Sequence, residues 1–453
     1  MSNIIRTIYP FTGEILKEYK RFTEEQVIET INKSAEIFQT WKSISLDKRI
    51  NKLNNLKKTL EEQKEQCANF ITHEMGKPYK ESIAEIEKCI WLIEFYKENA
   101  IQFLSDDIIK TEAQESFISY DPMGVILAIM PWNYPFWQVL RFAIPTLTAG
   151  NTVLVKHADN VTGCALAIQR VFETAGYQEG CFQTVLVSHK QVRSIIENKN
   201  IKAVTLTGSE KAGKAISKIT GEHLKKTVLE LGGNNACIIW EDADLDKYIK
   251  TIVNARMQNA GQSCIAAKRF IIVEEIYDEF VEKFKSELQK LRFGAPTDPK
   301  TEISTLAKED FVKELQEQIN ESLKMGAKVV IGNKYKKAFF EPTIIENVTP
   351  GMPVFDEEVF GPVAAFTKAE DREHSIQLAS QSKFGLGTML FTEDIENARK
   401  QIDKIEDGAF FINEMVKSDP RLPFGGTKNS GYGRELSKEG ILEFVNKKTV
   451  YVR

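Results

Sequence analysis

A cysteine and a glutamate in this chain stand in settings suited to chemistry at a carbonyl carbon. Gly261-Gln262-Ser263-Cys264 follows the helical-looking segment Tyr248 to Gln258 and puts little side-chain bulk in front of the thiol. A flat carbonyl compound and the face of a cofactor can approach such a cysteine, and exposure is what makes a thiol a candidate nucleophile. Glu230-Leu231-Gly232-Gly233 closes a strand-like run from Thr227. Glycines directly after a carboxylate let the backbone turn and leave the acid facing a cavity, where it can act as a general base. Each group also has a bland reading, a cysteine as a small buried hydrophobe and a glutamate as a surface residue near a turn. Their neighbours in the chain decide between the two.

The pattern from Gly124 onward is strand, loop, helix, repeated. Val125 to Met130, Asn151 to Lys156, Cys181 to Val187 and Ala203 to Thr207 are short apolar runs separated by helical stretches, which predicts a parallel sheet covered on both faces. Ligands of such sheets sit outside the carboxyl ends of the strands. The loops there read Pro131-Trp132-Asn133-Tyr134-Pro135, Lys156-His157-Ala158-Asp159 and Gly208-Ser209-Glu210-Lys211-Ala212-Gly213-Lys214. A second α/β set follows, with strands at 267–274, Lys328 to Ile331, Pro342 to Ile345 and near residue 363, a helix over Tyr277 to Leu291, and a β-prone tail, Lys448 to Val452. Upstream, Thr23 and Gln26 form a capping box for a helix over Thr23 to Trp41. Two or three further Lys/Glu-rich helices extend to about residue 101; their charge reads as a solvated outer face without a function.

The rest of the chain narrows the classes of function. With 453 residues, 42% hydrophobic and 27% charged, it suits a globular protein of two or three domains, and a net charge of -4 gives no reason to expect nucleic acid or a membrane surface as partner. Met1 to Pro10 lacks the apolar core of a signal peptide, so a cytoplasmic location is expected. The six cysteines and five histidines are dispersed, which indicates neither a disulfide framework nor a metal site. Gly208 to Lys214 nearly fits a nucleotide-hydrolase P-loop, but Ala215 stands where Ser or Thr must hold magnesium. That loop can still offer backbone N–H groups and a helix N-terminus to a pyrophosphate.

Taken in order, Pro131-Trp132-Asn133, Lys156 with Asp159, Thr207-Gly208-Ser209, Glu230-Leu231-Gly232-Gly233, Gly261-Gln262-Ser263-Cys264, Glu358-Val359-Phe360-Gly361-Pro362 and Pro423-Phe424-Gly425-Gly426 closely resemble the NAD(P)-dependent aldehyde dehydrogenase superfamily. The 34-residue spacing from Glu230 to Cys264 fits as well. Phe136 to Arg141, Lys156-His157-Ala158 and Lys417 to Pro423 are most similar to the short bacterial succinate-semialdehyde dehydrogenases.

The resemblance implies an α/β fold with a Rossmann-like parallel-sheet cofactor domain, a second α/β catalytic domain and a small β oligomerisation element. The expected divisions are 1–229 for the cofactor domain, 230–432 for the catalytic domain, and 433–453 for a C-terminal helix and oligomerisation strand that 112–121 joins. It implies Cys264 as nucleophile, the Asn133 amide and the Cys264 N–H as oxyanion donors, and Glu230 as base for thioester hydrolysis. Trp132, Lys156, Asp159, Gly208, Ser209, Gly213, Leu231, Glu358 and Phe360 should contact the cofactor. Arg141, placed two turns beyond Asn133 on one helix, should hold a carboxylate on the far end of a small aldehyde, together with Ser263, Ser418 and Arg421. Gln258 stands where some relatives have a second arginine. NAD is the expected cofactor in preference to NADP, because the Asp159 carboxylate would accept the ribose 2′-hydroxyl and repel a 2′-phosphate. No metal is implied, and a homodimer or homotetramer is. The resemblance implies oxidation of succinate semialdehyde to succinate; rival readings are a broad-specificity or other short-chain aldehyde dehydrogenase, a P-loop-like hydrolase, a non-catalytic binding protein on the same fold, and a dehydrogenase that passes its thioester to coenzyme A.

Overall fold

The computed structural model describes residues 3–453; Met1 and Ser2, the start of the segment read for a signal peptide, lie outside them. After an antiparallel hairpin of Ile4–Ile8 and Ile15–Lys20 comes the helix Glu24–Trp41. Thr23 and Gln26 cap it as expected: the Gln26 N–H donates to the Thr23 hydroxyl at 3.3 Å, and the Thr23 N–H to the Gln26 side-chain carbonyl at 2.9 Å. Three more helices follow, Leu46–Glu62, Lys64–Met75 and Tyr79–Leu104. They pack with one face inward, burying Leu53, Leu56, Leu60, Ile71, Ile86, Leu92 and Ile93 against the first sheet's helices.

The first sheet has six strands in the order Gly431–Tyr432, Lys226–Glu230, Ile201–Thr207, Val125–Met130, Thr152–His157, Phe182–Thr184. All pairs are parallel except the one made by Gly431–Tyr432. Val125–Met130 lies between a strand that follows it directly and one that comes later, so chain order reverses there. That position opens a crevice at the strand ends. The expected strands are present, with ends shifted by one or two residues; the run read as Cys181 to Val187 pairs only over Phe182–Thr184.

The second sheet has seven strands, Lys328–Ile331, Thr343–Glu346, Val363–Ala369, Arg269–Val273, Ala236–Ile239, Thr388–Phe391 and Phe410–Ile412, parallel but for the first. Beneath it Phe270, Phe280, Phe284 and Phe366 form an aromatic cluster with ring centroids 5.1 to 6.3 Å apart. The chain leaves the first sheet after Glu230 and returns to it at Gly431. Its last strand, Val445–Val452, pairs with Glu115–Pro122, which also pairs with Asp107–Ile108. This three-stranded sheet leaves Ile108 78% and Tyr451 56% exposed. Among the described residues no helix is long and apolar enough to cross a membrane.

One expectation fails locally. Asn133 does not share a helix with Arg141, because that helix begins only at Trp137. Pro135 disfavours helical backbone in the residue before it. The first free N–H groups of the helix, those of Phe136 and Trp137, instead donate to the Glu85 carboxylate at 2.9 and 3.0 Å.

Candidate active site

Cys264 lies on a backbone bent by three consecutive left-handed residues, Asn259, Ala260 and Gly261, with φ of 56°, 52° and 71°. A non-glycine residue in this region costs about 1 kcal/mol, so contacts from several elements must hold the bend. The Asn259 amide donates to the Asn133 carbonyl at 2.8 Å, and the Asn259 N–H to the Glu81 carboxylate at 2.9 Å. Arg256, wholly buried, donates to the carbonyls of Gly261, Val359 and Gly361. A Cβ on Gly261 would lie 2.2 Å from the Gly361 oxygen, so this close crossing requires glycine. Lys268 Nζ donates to the carbonyls of Ser263 and Cys264 at 2.9 and 2.7 Å and lies 3.1 Å from the Glu358 carboxylate.

Cys264 belongs to the walls of two cavities. The first, ≈ 310 Å³, lies at the carboxyl ends of the first sheet and takes in Trp132, Asn133, Gly208, Ser209, Leu231, Glu358 and Phe360. Seven of the expected cofactor or oxyanion residues therefore meet there. Trp132 stacks on Phe311 at 4.7 Å and meets the edge of Phe360 at 5.6 Å. Flat apolar walls, the Glu358 carboxylate and the Asn133 amide fit a nicotinamide riboside. Glycine at 232 keeps the floor open, since a Cβ there would lie 2.3 Å from the Glu358 carboxylate. Asn133 donates one amide hydrogen to the Gln262 carbonyl at 3.1 Å. Its NH2 group carries a second hydrogen for a ligand. Ser209 caps the helix Glu210–Glu222 by accepting from the Ala212 N–H at 3.3 Å.

Gly213 is not in this wall. Its missing Cβ lets the helix press on Leu231, where an added carbon would sit 2.5 Å from Cδ1, so its part is packing. Lys214, the lysine of the P-loop-like stretch, points outward to Glu210 at 2.5 Å and is 70% exposed. A lysine that faces solvent does not clasp a nucleotide's terminal phosphates.

Lys156 and Asp159 lie past the end of Thr152–His157, as expected, but the aspartate is already engaged. Arg21 reaches it at 2.6 Å and Lys156 at 3.4 Å. Lys308 and His189 stand close enough to act on the same charges. Arg21, Lys156 and Lys308 thus gather around Asp159. The departure at His157 also has a role. Its Nδ1 accepts from the Ala158 N–H at 2.9 Å, so Nε2 carries the hydrogen and donates to the Pro135 carbonyl at 2.9 Å, tying down the loop that carries Asn133. Burial pulls its pKa down to about 4, which keeps the ring neutral.

The second cavity, ≈ 710 Å³, holds Ser263, Arg141 and Ser418 in its wall with Cys264, together with Lys88 and Gln258. Arg141 is 3% exposed, forms an ion pair with buried Glu435 and lies 4.8 Å over the Phe424 ring. Arg421 is not part of the clamp expected of it. Its guanidinium is 66% exposed and is held by Asp419 through bonds of 2.9 and 2.7 Å, because a carboxylate two residues away on the same turn fits its fork. Ser418 accepts from Lys88 Nζ at 2.8 Å and from Trp137 Nε1 at 3.1 Å.

Glu230 stands outside the walls of both cavities and is 2% exposed, with no hydrogen-bond partner at either carboxylate oxygen. Burial first and neighbouring Glu435 second raise its pKa well above the carboxylate range, against the pull of Arg141 and Arg434. Both influences favour the protonated carboxyl in this position. Burial likewise pushes the Cys264 thiol up to about 11, although Lys268 and Arg141 draw it down.

The largest oversight of the sequence reading is the helix Tyr79–Leu104, set aside as a solvated face. It supplies Glu81 to the nucleophile bend, Glu85 to the helix bearing Arg141, and Lys88 to the second cavity. A signal was present: Glu81, Glu85 and Lys88 recur at four- and three-residue spacing with apolar Leu92 next in the stripe. Charges on an inward-facing helical stripe must be paired or line a cavity, because an unpaired buried charge is costly. Lys268 and Arg256 were missed because their work is done on backbone carbonyls, which leaves no pattern in sequence.

The sequence pattern of the aldehyde dehydrogenase family matches residues 1–450. Over 451 residues the chain is 44% identical to a probable succinate-semialdehyde dehydrogenase (NADP+) of Synechocystis sp., covering 99% of each chain. It is equally, 44%, identical to succinate-semialdehyde dehydrogenase (NADP+) 1 of Mycobacterium tuberculosis over 454 residues, again 99% of both. The crystal structure of succinic semialdehyde dehydrogenase from Streptococcus pyogenes in complex with NADP+ superposes with a TM-score of 0.97 at 34% identity, covering 99% of both chains.

Proposed function

Since this chain belongs to the aldehyde dehydrogenase family, and so oxidises an aldehyde to a carboxylic acid with a nicotinamide dinucleotide, we propose that its substrate is succinate semialdehyde and its preferred cofactor NADP. The observation that carries this reading is the position of Cys264 in a wall common to two cavities, one flat and aromatic, the other including Lys88 and Arg141 in its wall. A four-carbon aldehyde with a terminal carboxylate suits the second. The NADP+-named relatives at 44% identity support the same choice.

In the proposed mechanism Cys264 loses its proton to solvent and adds as the thiolate to the aldehyde carbon, and the oxyanion takes hydrogen bonds from the Asn133 amide and the Cys264 N–H, each worth roughly 3 kcal/mol. Dinucleotide bound in the first cavity supplies the hydride acceptor. Trp132, Leu231 and Phe360 give it flat walls, and Glu358 offers acceptors for its ribose. The thioester on Cys264 is then hydrolysed by a water from which Glu230 takes the proton. To do so Glu230 must give up its own proton and turn from Glu435 toward the thiol. A thioester handed to coenzyme A instead is disfavoured by this glutamate.

The preference for NADP over NAD, contrary to the expectation from Asp159 alone, rests on Arg21. With Arg21 and Lys156 on the aspartate and Lys308 nearby, a 2′-phosphate meets a surplus of positive charge. The exposed face of the three-stranded sheet, with Ile108 and Tyr451, supports a homo-oligomer, dimer or tetramer. The test is a kcat/KM comparison of succinate semialdehyde with butanal, run with NADP and NAD. Succinate semialdehyde with NADP should be the best pair by more than tenfold on each axis; equal values for both aldehydes would refute the substrate, and a preference for NAD the cofactor.

A further inference from the structure

Resting on the reading of a carboxylate-bearing aldehyde, we infer that Lys88 is the residue that binds the substrate carboxylate, with the Ser418 hydroxyl as its partner. Arg141, the residue expected from sequence, has its charge balanced by buried Glu435. Lys88 is the cation in this cavity without a carboxylate partner among the described residues. Glu85, one turn away, is fully used: Lys77 lies 2.5 Å from one oxygen and the Phe136 and Trp137 N–H groups bind the other. Asp419 is held by Arg421, and Lys417 by Glu414. The ammonium of Lys88 lies 4.3 Å over the Trp137 ring, which fixes its direction into the cavity.

Ser418 completes the argument. Its oxygen accepts from both Lys88 and Trp137 Nε1, which occupies both lone pairs. Its own hydrogen is left to donate, and a carboxylate oxygen is the natural acceptor. Ammonium and hydroxyl together offer two charge-assisted donors to one carboxylate in the cavity that holds Cys264.

The inference has a signature in pH. Burial, with Arg141 second, draws the Lys88 ammonium down to about 8, while Cys89 and the carboxylates of Glu85 and Asp419 hold it up. Glu81, Glu414, Lys417 and Cys264 share the cavity wall. Groups that serve both aldehydes cancel in the ratio of kcat/KM for succinate semialdehyde to that for butanal. This ratio should fall about tenfold per pH unit above about 8 in the wild type as Lys88 loses its charge.

The experiment measures the ratio from pH 6.5 to 9.5 for the wild type, Lys88→Met and Lys88→Arg. Methionine keeps the packed stem without the charge, so the ratio should drop roughly 30-fold or more at pH 7, the size of a desolvated charge pair, and lose its pH dependence. Butanal turnover should fall far less, which also reports that the variant is folded. Arginine stays charged throughout, so Lys88→Arg should keep most of the ratio at pH 7 and hold it level to pH 9.5. A wild-type ratio that is level with pH, or one that Lys88→Met leaves intact, overturns the inference while leaving the substrate in place. A wild-type ratio near one at pH 7 overturns the substrate reading and this inference with it.

Discussion

Glu230 and Glu435 are buried next to each other, and Arg141 pairs with the second of them. Two carboxylates in one dry site cannot both ionise without cost, so the base proposed for thioester hydrolysis rests as an acid. Turnover limited by hydrolysis should therefore rise with pH as Glu230 deprotonates. Glu435→Gln removes the like charge that raises the Glu230 pKa and should move that rise to lower pH. Profiles of kcat for the two enzymes decide this; superimposed curves would show that Glu435 does not act on the base.

The same ion pair predicts a stability effect. Arg141→Ala leaves Glu435 with an uncompensated charge in a site where it is 5% exposed, which should cost about 3–5 kcal/mol. Arg141→Met combined with Glu435→Gln should recover most of that loss. Denaturant unfolding of Arg141→Ala and of the double variant measures it, and a double variant no more stable than Arg141→Ala would contradict the pairing.

Cys264 should be a slow nucleophile in the free enzyme at neutral pH, since burial raises its thiol to about 11. Its thiolate fraction grows tenfold per unit below that value. Alkylation by iodoacetamide, followed at the peptide carrying Cys264, should accelerate from pH 7 to 10 without a plateau. A plateau near pH 7 would mean that Lys268 and Arg141 outweigh burial.

Arg21→Ala should shift the cofactor ratio. Without the 2.6 Å contact, the Asp159 carboxylate is free to repel a 2′-phosphate. The kcat/KM ratio of NADP to NAD should fall roughly tenfold, a partly solvated charge contact of about 1.4 kcal/mol. An unchanged ratio would place cofactor choice elsewhere.

The alternation of apolar runs made the two parallel sheets legible, and small residues beside reactive ones marked Cys264 and Glu230. These features are local, and each leaves its pattern within a few residues. What stayed hidden depends on partners far apart in the chain. Asp159 could not be read correctly without Arg21, 138 residues away, nor Ser418 without Lys88, 330 residues away. Arg421 misled for the opposite reason: a partner two residues off, Asp419, takes the charge that its position near the motif had suggested was available. Asn133 and Arg141 were assigned to one helix on spacing alone, where Pro135 and the Glu85 cap set the helix start.

The most direct test of the account is to trap its covalent intermediate. Glu230→Gln keeps the shape of the base but cannot take a proton from water, so acylation should proceed and hydrolysis should stall. Mixed with succinate semialdehyde and NADP, then quenched in acid, the variant should release one NADPH per site in a burst. Its peptide containing Cys264 should carry one succinyl group by mass spectrometry. A burst with Cys264 unmodified, or the acyl group on any other residue, would contradict the account.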